Sequence, residues 1–445
     1  MSYTNNIIKI IKDKYHYQPE YVQAIVEVLE STSIIFDNNE YYQSISILER
    51  LVEPERLISF KVVWIDDQGN TKVNKGYRVQ YNSSLGPYKG GLRFHPSVND
   101  SIIKFLGFEQ IFKNALTTLP LGGAKGGSDF DPKDKSDNEI RRFCQSFILE
   151  LYKYIGPNLD IPAGDIGVGS KEIGYLYGYY KRIKNISEQG AITGKGIGYG
   201  GSLVRKEATG YGLIYFFISI AKYHNINYDN ENIIISGSGN VAIYAGYKAQ
   251  SYNMKVIKMS DSKGYIIDDN INMDIVKHIK EDLKGSLSLY PNLANSGTYH
   301  TGSVYDIDND VKFIFLCGTQ NEIDKTKALR LLKNKPLIIS EGANMPSDND
   351  AIKIYKDNNI ILAPAKAANA GGVATSGLEM VQNANKLYWS YQQVDQELNN
   401  IMNNIFNQCR DTIKEYNLND IDYLKAANIA GVKKVIDAMI AMGDY

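Results

Sequence analysis

Cysteine is scarce: Cys144, Cys317 and Cys409 are the three in a chain of 445 residues. They are too few and too scattered for a disulfide framework, and each reads as a small buried hydrophobe. The five histidines show no metal-ligand spacing, so no metal site is expected. Nor does one sign of charge dominate. Lys plus Arg (49) and Asp plus Glu (50) nearly cancel, which removes the chain-wide positive field of a nucleic-acid binder, and nucleic acid is dropped as a partner. Long hydrophobic runs are missing too. The longest apolar stretch, Leu213 to Ala221, contains Ser219 and falls far short of the ~18–20 residues that span a bilayer. MSYTNNIIKIIKDKYHY lacks the apolar region and cleavage site of a signal peptide. These absences predict a soluble, cytoplasmic protein without membrane contact. No fixed-period repeat and no low-complexity segment is present.

What is present exceeds the size at which a single core keeps growing, so about two to three domains are expected. Residues 5–55 carry apolar side chains at helical spacing, Ile7, Ile8 and Ile11, then Val22, Ile25, Val26 and Leu29, broken at Asp37-Asn38-Asn39. From 58 to 81 the period becomes two, around the turn DDQGN, which predicts a β-hairpin. GPYKGGLRFHP then reads as a glycine-rich loop. A helix follows through IIKFLGFEQIFKNALTTL, with Ser101 as its expected cap. Its apolar residues cover most of the circumference, yet Gln110, Lys113, Asn114 and Thr117 form one polar stripe leading into LPLGGAKGG. Beyond residue 200 short β-like runs alternate with helical ones, the mark of a doubly wound sheet. The predicted class is α/β. A mixed α+β domain for substrate and oligomerisation covers 1–200 and is completed by a C-terminal helix at 420–445; a Rossmann-like domain covers 201–419.

In IIISGSGNVA, Gly237, Gly239 and Ala242 fill the positions of G-x-G-x-x-G/A between a strand and a helix. The first residue permits the turn, the second lets backbone amides approach a pyrophosphate, and the third allows close packing. The following strand ends in Ser260-Asp261-Ser262-Lys263. An acidic residue there suits the ribose hydroxyls of NAD and a cation suits the extra phosphate of NADP, so spacing leaves both cofactors open. In the first half Lys89, Lys113 and Lys125 stand in glycine-rich or buried contexts. If they converge, burial and mutual repulsion lower at least one lysine pKa, giving a base and carboxylate clamps.

GPYKGGLRFHPSV, KFLGFEQIFKNALTTLPLGGAKGGSDFDP, DIPAGDIGVG, GGSLVRKEATGYG, EGANMP and AANAGGVATSGLEM resemble the amino-acid dehydrogenase superfamily. More narrowly, they are similar to the hexameric glutamate dehydrogenases of bacteria and lower eukaryotes. The resemblance implies Lys125 as catalytic lysine and Asp165 as proton-transferring carboxylate. It implies Lys113 and Gln110 on the α-carboxylate of L-glutamate, Lys89 and Ser376 on the distal carboxylate, and the backbone of Gly164 beside the amino group. Thr209 and Asn240 would bracket the nicotinamide, with Ser238, Gly239 and Val241 near the pyrophosphate and Gln320 and Asn344 lining the cofactor cleft. Ser262 and Lys263, helped by Lys280 or Lys284, would surround the 2′-phosphate, with Asp261 in the same cofactor-binding turn as the acid that could take ribose hydroxyls, favouring NADP with NAD as the alternative. Implied as well are 2-oxoglutarate and ammonium as products, carbinolamine and iminium steps, domain closure that excludes water, and a homohexamer. Gly318 departs from the alanine common in such chains.

Two other readings stay open at this level. A leucine- or phenylalanine-type dehydrogenase would leave a cation at Lys89 without a partner on the substrate. A nucleotide-sensing scaffold would not need the full set Lys89, Lys113, Lys125, Asp165 and Ser376.

Overall fold

The computed structural model describes residues 2–305 and 311–443, the side chain of residue 334 excepted. The chain divides into two compact units. The first comprises Met1–Arg205, Thr375–Val394 and Asn428–Tyr445; the second comprises Lys206–Ala374 and Asp395–Ala427. Three segments thus fall on the other side of the expected boundaries: residues 201–205 and Thr375–Val394 cluster with the first unit, and residues 420–427 with the second.

In the first unit, helices Tyr3–Lys14 and Pro19–Phe36 precede the hairpin of β1 (Arg56–Ile65) and β2 (Thr71–Asn82). Their register runs from Arg56↔Gln80 to Ile65↔Thr71. The turn closes because Asp66 Oδ1 accepts the N–H groups of Gln68 and Asn70, at 3.0 and 2.8 Å. The sheet is completed by β3 (Tyr88–Phe94), β4 (Gly123–Ser128) and β5 (Asp160–Gly164), in the order β1-β2-β4-β3-β5. β3 runs parallel to both its neighbours.

The stretch expected to be a glycine-rich loop is therefore mostly an inner strand. Its glycines answer to crowding rather than to a turn. A Cβ at Gly90 would lie 1.6 Å from the carbonyl oxygen of Ala124, and one at Gly91 2.9 Å from Asp165 Cβ. Helix Asp100–Leu116 packs on this sheet, where Gly107 and Gly123 leave room for Val79 and Ile111. Its cap is Asn99, whose side chain accepts the N–H of Ile102 at 2.9 Å, and not Ser101, whose hydroxyl donates to Glu20 at 2.6 Å. Asn99 has the extended backbone that a cap requires, whereas Ser101 already lies inside the helix. On the opposite side, Trp64, Phe94, Phe130, Phe143 and Phe147 build an aromatic core, with Phe130 and Phe143 stacked at 3.8 Å.

The second unit holds β6 (Asn232–Ser236), β7 (Lys255–Ser260), β8 (Gly264–Ile267), β9 (Thr298–Thr301), β10 (Phe313–Leu316), β11 (Ile338–Glu341) and β12 (Ile361–Ala363). Their order is β12-β11-β10-β6-β7-β8-β9, parallel as far as β7 and antiparallel for β8 and β9. Ile233–Ile235 and Phe313–Leu316 are wholly buried, as in strands covered on both faces. Helix Ala208–Tyr223 lies on one face, with Phe217 edge-on to Phe313 and Phe315 at 4.9 and 5.1 Å. Helix Tyr423–Ala441 corresponds to the expected C-terminal helix; residues 444 and 445 of that expectation lie outside the described ones. Among the described residues no helix is long and apolar enough to cross a membrane.

Two glycine substitutions separate crowding from mere flexibility. Gly90→Ala drives a methyl into the Ala124 carbonyl and is expected to destabilise by about 3 kcal/mol or more. Gly178→Ala, in helix Ser170–Lys184 with nothing within 4 Å of the new Cβ, is expected to stabilise by about 0.5–1 kcal/mol. Denaturant unfolding of the two variants measures both.

Candidate active site

Along β3, alternate residues share a face, so Lys89, Gly91 and Arg93 stand in one row. Lys89 is 1% exposed. Burial, then Arg78 and Arg205, pull its amine down to about 7, against the opposing pull of Glu379 and Asp160, and no hydrogen-bonded carboxylate holds it among the described residues. Its carbonyl accepts Asn114 Nδ2 at 3.0 Å, and the same nitrogen reaches the carbonyl of Gly122 at 2.6 Å. Gln110 Nε2 in turn donates to Asn114 Oδ1 at 2.7 Å. The polar stripe of helix Asp100–Leu116 therefore has two tasks. Asn114 clips the helix to the strand carrying Lys89 and to the start of β4, while Lys113 stays half-buried and, through burial and the charge of Lys125, has its pKa lowered to about 8.

Lys125 sits in β4 opposite Val79, 6% exposed, with Nζ 3.2 Å from Asp165 Oδ2. Asp165 follows β5 in a turn closed by the N–H of Val168 on its carbonyl, with Gly167 at φ +73°. Arg93 Nε donates to the same Oδ2 at 2.9 Å. Burial pushes the Asp165 carboxyl up, but Lys125 and Arg93 outweigh it and hold the group below its ordinary value. Burial lowers Lys125; Asp165 opposes this and Arg93 adds to it, so the amine releases its proton more readily than a free lysine. The result is an ionised carboxylate touching a lysine primed to act as a base.

Ser376 lies on helix Gly371–Asn385, one turn before Glu379. Glu379 is fully buried and takes Lys195 Nζ at 2.6 Å and the N–H of Gly194 at 3.0 Å. Thr193, next to this pair, is buried with a hydroxyl that finds no partner among the described residues. Arg93, Thr193, Lys195 and Glu379 were not singled out from sequence. For Arg93 a signal exists in its spacing of four from Lys89, legible only if the stretch is read as a strand. Glu379 gives no such signal, because its partners are about 185 residues away in the chain. Gly164 ends β5, and a Cβ there would meet the Val168 carbonyl at 2.5 Å.

All the residues expected at the substrate belong to the first unit, and all those expected at the cofactor belong to the second. After β6, Gly237 adopts φ +78° and donates its N–H to Ser260 Oγ at 2.9 Å. Gly239 caps helix Asn240–Ser251, and space around it is open within 4 Å, so amides at the positive helix end can be approached by a pyrophosphate. The residues present thus fit a dinucleotide. Ser238 is buried in this turn, Val241 lies in the first helical turn, and Asn240 Nδ2 is tied to the Lys206 carbonyl. Thr209 begins helix Ala208–Tyr223; Gln320 and Asn344 are exposed beyond β10 and β11, with Asn344 Oδ1 accepting from Asn369 at 2.8 Å.

Ser262 and Lys263 are exposed at the β7–β8 turn. Asp261 differs from the role expected of it. Its Oδ1 accepts the N–H groups of Lys263 and Gly264 at 2.9 and 3.1 Å and the Tyr299 hydroxyl at 3.3 Å. Its Oδ2 accepts Ser286 Oγ and the N–H of Leu287, both at 2.8 Å. These five contacts use the capacity of a carboxylate, so Asp261 shapes the turn and offers no spare oxygen to ribose hydroxyls. Lys280 Nζ is likewise engaged, on the Gly285 carbonyl at 2.9 Å.

Comparison with known proteins gives a consistent result. Residues 54–182 match the model for the Glu/Leu/Phe/Val dehydrogenase dimerisation domain, and residues 200–443 the model for Glutamate/Leucine/Phenylalanine/Valine dehydrogenase. The chain is 50% identical over 443 residues to an NADP-specific glutamate dehydrogenase of Giardia intestinalis, covering 98% of each. It is 48% identical over 448 residues to an enzyme of the same description from Helicobacter pylori strain J99, covering 99% of this chain and 100% of that one. A crystal structure of Plasmodium falciparum glutamate dehydrogenase superimposes with a TM-score of 0.95 at 49% identity, over 99% of this chain and 94% of that one.

Removing the Asp261 carboxylate tests its place in the turn. Asp261→Ala is expected to speed hydrogen exchange at the amides of Lys263, Gly264 and Leu287 by at least about tenfold, as lost hydrogen bonds to a charged acceptor of about 1.5–3 kcal/mol allow. Unchanged exchange at all three sites would contradict that role.

Proposed function

This chain belongs to the glutamate/leucine/phenylalanine/valine dehydrogenase family, and from that premise we propose that it is an NADP-specific glutamate dehydrogenase. The reaction is the reversible oxidative deamination of L-glutamate to 2-oxoglutarate and ammonium. The observation that carries the choice of substrate is Lys89, a buried lysine on an inner strand with no hydrogen-bonded carboxylate among the described residues. A dicarboxylic substrate supplies the missing charge. An apolar side chain would leave the cation buried and unpaired, at a cost of several kcal/mol, which disfavours the leucine- and phenylalanine-type reading.

In this proposal Lys89 and Ser376 bind the distal carboxylate, Lys113 and Gln110 bind the α-carboxylate, and the Gly164 backbone lies beside the amino group. Gly237 to Val241 hold the pyrophosphate, and Thr209, Asn240, Gln320 and Asn344 border the rest of the cofactor. NADP, when bound, supplies the nicotinamide ring that accepts or returns a hydride at the substrate α-carbon. Lys125 as the neutral amine takes a proton from the water that adds to the iminium carbon. Asp165 takes up and returns the protons of the departing ammonium. The position of Lys125 against Asp165 supports this division, because burial and Arg93 lower the lysine's hold on its proton while Lys125 and Arg93 keep the carboxyl below its ordinary value. Exposed Ser262 and Lys263, in a turn whose acidic residue is fully engaged, support the 2′-phosphate assignment.

We also propose a cytoplasmic homohexamer. The match to a dimerisation domain supports an oligomer. So does β1, an edge strand of 10 residues that, with β2, leaves Leu57, Val63, Ile65 and Val73 exposed.

Initial rates with 2-oxoglutarate and ammonium are expected to favour NADPH over NADH, with 4-methyl-2-oxopentanoate turned over at least about 100-fold more slowly. A preference for NADH would remove the assignment of Ser262 and Lys263. Lys125→Ala is expected to lower kcat by about 10²–10⁴ while NADPH fluorescence still reports binding. Lys89 carries its charge fully below its pKa of about 7 and loses it above. The KM for 2-oxoglutarate is therefore expected to rise with pH above about 7, and in Lys89→Leu to be high at every pH.

A further inference from the structure

Arg93 is charged, largely buried at 16% side-chain exposure, and lies in the same row of β3 as Lys89 without belonging to either carboxylate clamp. Its Nε donates to Asp165 Oδ2 at 2.9 Å, and Lys125 Nζ approaches that same oxygen at 3.2 Å. Two cations therefore share one carboxylate oxygen, and no hydrogen bond reaches the other, Oδ1, among the described residues. At Gly91 a Cβ would stand 2.9 Å from Asp165 Cβ, so the missing side chain lets β3 pass close against Asp165. The charged groups facing Asp165 are Arg93 from β3, Lys125 from β4 and, at longer range, Lys113 from helix Asp100–Leu116.

We propose that Arg93 is a positioning residue for proton transfer: by saturating Asp165 Oδ2 together with Lys125, it leaves Oδ1 as the oxygen that takes up the proton and fixes the carboxylate over Gly91. This rests on the reading of Asp165 as the proton-transferring carboxylate. A single cation would not achieve both ends. When Lys125 is the neutral amine its attraction for the carboxylate is gone, and Arg93, which cannot deprotonate, keeps Asp165 ionised through that interval. The permanent charge sits on the strand, so the mobile charge is free to leave. Asp165 Oδ1 then gains a proton only transiently and passes it on, as a relay between amino group and solvent needs.

The test is the pH profile of kcat, read beside substrate affinity. Removing a cation at this distance raises a carboxylate pKa by about 1–3 units. In Arg93→Gln the acid limb of kcat is therefore expected to move to higher pH by about one unit or more, and Arg93→Lys, which keeps the charge, is expected to recover most of that shift. The KM for 2-oxoglutarate, and the Kd of glutarate measured by calorimetry, should stay within about threefold of the unsubstituted enzyme, because Arg93 is assigned to neither clamp. An unmoved acid limb in Arg93→Gln overturns the proposal, and so does a parallel rise of KM and glutarate Kd, which would make Arg93 a substrate ligand. Arg93→Met serves as the neutral variant if the glutamine form does not fold. Asp165→Asn separates the two levels. Loss of the acid limb together with most of kcat upholds the reading of Asp165 and leaves Arg93 to be judged on its own variants, whereas an unchanged profile overturns that reading and the proposal with it.

Discussion

A fully buried ion pair between Arg78 of β2 and Asp160 of β5 is the joint on which the first unit depends. The two strands are not neighbours: β4 and β3 lie between them in the sheet. Arg78 Nε and Nη2 both reach the carboxylate, and Nη1 donates on the way to the Gly90 carbonyl at 3.1 Å. Gln80 adds a further hydrogen bond to Asp160 at 3.1 Å. The guanidinium can pass under two strands because those strands carry glycine there; a Cβ at Gly126 would already stand 3.0 Å from Arg78 Cδ. Fully satisfied, such a pair is tolerated in the interior, but losing one partner costs about 3–5 kcal/mol.

The electrostatics of the site follow from that joint. Because Asp160 is engaged by Arg78 and Gln80, it is not a partner for Lys89, and the like charge of Arg78 helps to drive that amine's pKa down. Lys125 lies on the neighbouring strand and meets a carboxylate that Arg93 already stabilises. The sheet thus arranges four cations within two adjacent strands and one more, each differing in how its charge is matched. Arg78 is paired within the protein, Arg93 and Lys125 share one acid, and Lys89 has no hydrogen-bonded acid among the described residues. In the proposed function, specificity and proton transfer are separated by this matching rather than by residue type.

Much of the site was legible because its residues sit in long runs of unusual composition, GPYKGG and LPLGGAKGG above all. The hairpin and the buried helix with its polar stripe followed from periodicity, and the tight turn after β6 from the spacing of its glycines. The inner strand β3 did not. Period-two alternation depends on side chains that differ between faces, and Gly90 and Gly91 erase that difference, so the segment reads as a loop until Ala124 and Asp165 are seen pressing on it. The same misreading hid Arg93. Asp261 was recognisable as an acid at the end of a strand, yet whether its oxygens face solvent or backbone amides depends on Ser286, Leu287 and Tyr299, which sequence does not place beside it. Long-range pairs such as Lys195 with Glu379 have no local signature at all.

The chain passes from one unit to the other four times before it ends. On a ribosome, which delivers residues in order, the second unit has all its segments once Ala427 emerges, whereas the first, which bears Lys89, Lys113 and Lys125, still lacks its last segment from Asn428 onward. Among those residues are Gly431, where a Cβ would stand 3.1 Å from Phe112 of the Lys113 helix, and Lys434, whose amine donates to the Ala115 carbonyl at 3.1 Å. A nascent chain stalled after Ala427 thus holds every segment of the second unit, while the first, begun earlier, still waits for the helix residues that pack on the Lys113 helix.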